Sequence, residues 1–248
     1  MTQAIERPGA DAPVVNKPKR PGRPWPVEFA TSAVGLKWIM ALSGIALIGF
    51  VLAHAFGNLK VYFGAEDFDY YAESLRTLLY PFMPETWVLW AMRIGLIVAF
   101  AAHIGSAVAL TRMNKMARPT RYQSPRHYIA ANFASRSMRW TGIIVALFLL
   151  WHLADLTWGW VNPDFVRGDV YDNLVASLDR LPVAIFYILA NIALGIHLFH
   201  GSWSMFQSMG INSPRYNAIR RWVAGAIAVS ITLVNVSIPL AVTVGIVG

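Results

Sequence analysis

Four histidines sit at depths where a histidine is costly. His54, His103, His152 and His197 each lie well inside a separate long apolar run of a 248-residue chain that has only six histidines and no cysteine. An imidazole at lipid depth must find a hydrogen-bond partner, face a water-filled cavity or bind a metal, because an unsatisfied polar group in hydrocarbon costs several kcal/mol. One such residue could be a satisfied group between helices; four on four runs suggest a shared cofactor. The absence of cysteine removes disulfides, and any thiolate ligand supplied by this chain.

The elements that must position these rings are readable from composition. With 56% hydrophobic and 14% charged residues, the chain is far more apolar than a soluble domain. Its apolar runs of about 20 residues or more cover the roughly 30 Å hydrocarbon core at about 1.5 Å per residue. The sequence predicts an all-α integral membrane protein of five transmembrane helices, at about 33–58, 86–112, 137–161, 181–207 and 219–246. Four of these form a histidine-bearing bundle. Residues 1–30 hold Pro8, Pro13, Pro18, Pro21, Pro24 and Pro26 and read as a flexible cytoplasmic tail, with residues 31–248 as the five-helix anchor domain. The polar stretch before the first span lacks the layout of a cleaved signal. Trp25, Trp38, Trp87, Trp90, Trp158, Trp160 and Trp222 fall near span ends, where indoles anchor. The outer segment Glu66–Leu79, and the second outer loop Val161–Arg180, are expected to form short interfacial helices.

Charge sets the orientation. Sixteen of the 21 basic residues fall in the N-terminal tail with the start of the first span, in the connection between the second and third spans, and in the last connection; ten of the thirteen acids fall on the other side. Basic residues in short loops are retained in the cytoplasm, so the N-terminus is expected inside and the C-terminus outside. The net charge of +8 therefore describes one face. Topology and attraction to anionic lipid headgroups explain it, rather than nucleic-acid binding; a basic cytoplasmic face also suits docking of a soluble partner.

Counting along each helix from its cytoplasmic boundary sorts the histidines by depth. His103 lies roughly 14 Å in and His197 roughly 15 Å in, whereas His54 lies roughly 27 Å and His152 roughly 21 Å in. Two imidazoles at one level on facing helices are what a six-coordinate haem requires. Closed zinc sites want four ligands at one centre and fit less well; a proton relay stays open. Gly57, Gly105, Gly142 and Gly195 flank the histidines and would allow close approach of helices or a flat cofactor.

Three segments carry a resemblance. They are His54-Ala55-Phe56-Gly57-Asn58-Leu59 with Phe63-Gly64-Ala65-Glu66 and Tyr71-Ala72; Ser135-Arg136-Ser137-Met138-Arg139-Trp140-Thr141-Gly142 leading to Trp151-His152-Leu153; and His197-Leu198-Phe199-His200-Gly201-Ser202-Trp203-Ser204 with Gln207 and Gly210. In these the chain resembles the membrane-anchor cytochrome b subunit of succinate:quinone oxidoreductases, in the five-span, single-anchor form that includes fumarate reductases. The resemblance implies two haem b groups, the inner held by His103 and His197 and the outer by His54 and His152. A histidine-ligated iron–sulfur cluster is the alternative iron centre. It further implies a bacterial plasma-membrane location, and a flavoprotein and an iron–sulfur subunit as partners that handle succinate, which this chain does not bind.

Quinone, the expected substrate, needs hydrogen-bond donors for its two carbonyl oxygens. Near the cytoplasmic ends Ser32, Lys37, Ser135, Arg139, Ser204 and Gln207 are candidates, with Trp38 and Trp203 as ring contacts. His200 is a neighbour of a propionate or of quinone, Arg93 pairs with a propionate or snorkels outward, and His127 lies in the cytoplasmic connection. The competing class is a transporter or membrane scaffold whose histidines relay protons, which expects a colourless protein.

Overall fold

The computed structural model describes residues 22, 24–117, 133–211 and 213–248, the side chains of 133–136 excepted. Most of the expected tail, His127 and the middle of the basic connection between the second and third spans lie outside the described residues. The helices are α1 (Trp25–Thr31), α2 (Ala33–Asn58), α3 (Ala65–Ser74), α4 (Trp87–Met116), α5 (Phe133–Leu156), α6 (Val170–Leu178), α7 (Leu181–Ser208) and α8 (Asn217–Thr243), with 3-10 turns at Leu59–Phe63 and Pro214–Tyr216. No strand occurs among the described residues. Five helices, α2, α4, α5, α7 and α8, are long and apolar enough to cross a membrane.

Local chemistry sets the boundaries. Ser32 breaks the chain between α1 and α2: it is extended, donates its hydroxyl to the Phe29 carbonyl at 2.8 Å and accepts the Gly35 N–H at 3.0 Å, capping α2. Both expected outer helices form. Val170–Leu178 begins at Asp169, and the Asp69 carboxylate of α3 accepts the Val170 and Tyr171 N–H groups at 2.9 and 3.0 Å, tying the two outer helices together.

The third span differs from its expected course. It stops at Leu156 rather than continuing to 161. Asp155 is fully buried and accepts hydrogen bonds from Arg180 Nη2 at 2.8 Å, from the Tyr187 hydroxyl at 2.8 Å and from Ser177 Oγ. A carboxylate at that depth needs these partners, and they stand on α6, α7 and the link between them, so the chain turns back to meet them. Gly159, with φ +71°, makes the turn.

The spans pack as two hairpins and a cover. In the first hairpin α4 lies on α2; in the second α5 lies on α7; α8 lies along α7, and α7 also touches α2. Gly195 sits directly against Thr232 of α8, and Asn235 Nδ2 donates to Asn191 Oδ1 at 2.9 Å between the same two helices. Leu198, Ala228 and Ile231 form their buried seam. A second cluster, around Phe68, Leu174, Leu178, Tyr187 and Ile238, closes the outer end.

Arg180→Ala is expected to cost the purified chain about 3–5 kcal/mol of unfolding free energy, because it leaves Asp155 buried and unpaired. Arg76→Ala, which breaks only the exposed Glu73–Arg76 pair, is expected to cost less than about 1 kcal/mol. Denaturation in detergent micelles followed by circular dichroism compares the two.

Candidate functional site

The four intramembrane histidines meet in twos. The ring centres of His103 on α4 and His197 on α7 are 6.4 Å apart with planes at 70°. Those of His54 on α2 and His152 on α5 are 5.9 Å apart at 75°. These are the partners that depth along the helices selects. Each pair joins one hairpin to the other, through helices that lack the close packing found within each hairpin. His54 is exposed, and the other three are half-buried. No three histidine, aspartate or glutamate side chains gather as a metal-ion group among the described residues.

The inner and outer pairs are held differently. His103 Nδ1 lies 3.1 Å from the Met40 carbonyl and 3.4 Å from Ser43 Oγ. A carbonyl can only accept, so Nδ1 carries the proton and Nε2 presents its lone pair. His197 Nδ1 lies 3.3 Å from Thr141 Oγ1, with the Met138 backbone as its further partner. The outer rings rest on aromatic groups. Phe50 stacks on His54 with centroids 5.3 Å apart, and Phe148 and Tyr187 lie 5.7 and 6.0 Å from His152. His152 Nδ1 is buried and has no hydrogen-bond partner among the described residues.

Haem fits these pairs. Two metal–nitrogen bonds of about 2 Å, with the nitrogen-to-centre distance of each ring added, place the centres of two opposed axial imidazoles about 6 Å apart. Both observed separations match that span. Glycine gives the inner rings their room, since a Cβ on Gly44 would stand 3.4 Å from His103 Cε1 and one on Gly142 would stand 3.2 Å from His197 Cε1. Of the other flanking glycines, Gly57 faces the Tyr71 ring, Gly195 serves the α7–α8 contact, and Gly105 faces open space.

The quinone candidates are not gathered by visible contacts. Ser32 is occupied as a helix cap. Ser204 donates to the Gly201 carbonyl at 3.2 Å. Lys37, Arg139 and Gln207 are exposed on α2, α5 and α7. The side chain of Ser135 lies outside the described residues. His200 and Trp203 meet with ring centroids 6.0 Å apart, and His200 Nδ1 and Trp203 Nε1 are buried without partners among the described residues. Arg93 lies over the Trp90 ring, 5.0 Å from its centroid.

Sequence reasoning missed Ser43, Thr141 and Tyr187 as neighbours of the rings, and it counted Asp155 only as an outer-side acid. Their signal was faint: hydroxyls one or more turns away from a histidine on a different helix.

Residues 118–236 match the family model described as the succinate dehydrogenase/fumarate reductase transmembrane subunit. That stretch, just under half of the chain, takes in His152 and His197, one member of each pair, and leaves His54 and His103 outside. No curated protein and no solved structure matches the chain.

Gly142→Leu is expected to force the His197 ring aside and to cost about 1–3 kcal/mol. Gly105→Ala, with nothing within 4 Å, is expected to leave stability unchanged or raised by up to about 1 kcal/mol. Thermal unfolding in detergent separates the two outcomes.

Proposed function

We propose that this chain is the membrane-anchor subunit of a succinate:quinone oxidoreductase, in which His103 and His197 would hold an inner haem b and His54 and His152 an outer one. The observation that carries the reading is the pair of ring separations, 6.4 and 5.9 Å, each bridging two hairpins that do not otherwise pack closely there. The match over residues 118–236 supports the enzyme class. Haem bound by these imidazoles would supply one-electron transfer.

The protein's own part is to hold and orient. Hydrogen-bonded Nδ1 atoms orient the inner rings and leave their Nε2 lone pairs free to hold a metal. Phe50 and Phe148 pack beside the outer rings and orient them. The basic inner face, with the N-terminus in the cytoplasm, receives an iron–sulfur subunit that carries a flavoprotein, and these partners oxidise succinate. Of the inner quinone candidates, Lys37 and Arg139 are exposed cations and Gln207 an exposed amide, free to donate to a carbonyl oxygen, whereas Ser32 and Ser204 would first have to release backbone carbonyls.

A reduced-minus-oxidised spectrum tests the reading. Two b-type haems per chain are expected, with His103→Leu and His197→Leu each removing one and His54→Leu and His152→Leu each removing the other. A broad weak iron–sulfur spectrum would replace haem by the cluster, and a colourless complex would overturn both. Gln207→Ala and Arg139→Ala are expected to raise the KM for quinone at least severalfold; unchanged turnover and KM in both would remove the inner-face pocket.

A further inference from the structure

The two hairpins repeat one arrangement. Met40, Ser43 and Gly44 on α2 recur as Met138, Thr141 and Gly142 on α5, with the same spacing, and a histidine follows the methionine by fourteen residues in both, at His54 and His152. Fourteen residues is close to four helical turns, so α2 and α5 each present this triplet and its histidine on one face, about 21 Å apart. In both hairpins the triplet holds the histidine of the partner helix, His103 of α4 or His197 of α7. Its glycine faces the imidazole Cε1 and its hydroxyl lies at Nδ1; at His103 the Met40 carbonyl lies at Nδ1 as well.

The hydroxyls are oriented to accept. Ser43 Oγ already donates to the Ile39 carbonyl at 2.7 Å, and Thr141 Oγ1 stands 3.2 Å from the Ser137 carbonyl and 3.1 Å from that of Met138, in donating geometry. Their oxygen lone pairs are left to face the ring Nδ1–H, which at His103 is shared between the Met40 carbonyl and the Ser43 hydroxyl and at His197 faces the Thr141 hydroxyl. Ser43 and Thr141 are both buried, at 7% and 5% exposure, so no water competes for that proton. In the outer pair, His152 Nδ1 is buried with no such acceptor among the described residues.

The geometry points to Ser43 and Thr141 as equivalent positioning residues that set the basicity and orientation of the inner ligand pair alone. The inference rests on the haem reading above. Each acceptor at Nδ1–H makes an imidazole a stronger donor through Nε2, which favours the ferric iron; losing the hydroxyl, even with the Met40 carbonyl still in place at His103, therefore raises the potential of the centre.

The test uses the purified complex and a potentiometric titration followed optically and by electron paramagnetic resonance of the low-spin ferric signals. The signal lost in His103→Leu identifies the inner centre. In Ser43→Ala with Thr141→Val, the ferric-over-ferrous preference of that centre is expected to fall by a factor on the order of three to ten, the tenfold end reading as an upward shift of about 59 mV. The outer centre should not move. Ser43→Thr and Thr141→Ser, which keep the hydroxyl, should restore the native value. Unchanged potentials and spectra in the double variant, an equal shift of both centres, or failure of the conservative pair to rescue would overturn the inference while leaving the haem reading intact. A wild-type complex with no low-spin haem signal would instead remove the reading on which it rests.

Discussion

A polar side chain at membrane depth has no water to turn to, and the arrangement of this protein follows from where four imidazoles find company. Packing within α2–α4 and within α5–α7 satisfies the aliphatic faces of those helices. It does not join α4 to α7 or α2 to α5 with comparable closeness; there the facing groups are imidazole rings. Apolar burial offers little drive between helices already surrounded by lipid tails, so the relation between the two hairpins depends on polar and ring contacts at two levels. α7 strengthens that relation, since it touches α2 and α5 and carries α8 along its length.

The two ends of the bundle solve the same problem with different chemistry. At the outer end a full charge, Asp155, is taken out of solvent and matched by Arg180, Ser177 and Tyr187, and the short helices above it are fastened by the Asp69 carboxylate. At the inner end of the cover, Arg220 is buried without a carboxylate among the described residues. Its guanidinium donates to the Ile211 and Ser213 carbonyls and to Asn217 Oδ1, folding the turn between α7 and α8 around itself. Neutral acceptors suffice for a delocalised cation near the interface, whereas a compact carboxylate deeper in the structure needs an opposite charge.

The sequence was most legible where hydropathy alone decides. The five spans and both outer helices are written in runs of apolar residues and in their interruptions, and the partners of each histidine follow from counting along helices. Boundaries were less legible where a side chain overrides hydropathy. The third span ends early because Asp155 must meet residues 22 to 32 positions further on, a contact no local pattern announces. Ser43 and Thr141 were invisible for a related reason. In a helix their hydroxyls satisfy themselves on the preceding turn, so nothing in either segment alone marks them as anything more. Only the recurrence of Met-x-x-Ser/Thr-Gly ahead of a histidine gives a sequence signal, and its meaning appears once His103 and His197 are seen beside it.

The hydrogen bond from His103 to the Met40 carbonyl lies wholly inside the first hairpin. During synthesis that hairpin reaches the bilayer before α5 and α7 exist, and domains emerge N-terminal part first. The ring that will face the other half of the protein is already satisfied while it waits, with its Nδ1 proton spoken for and only one lone pair exposed to lipid. Thr141 and the Met138 backbone offer His197 the same shelter when the second hairpin arrives. Each half can therefore dwell in the membrane as an intermediate of biogenesis, with its unmatched polar surface reduced to a single nitrogen.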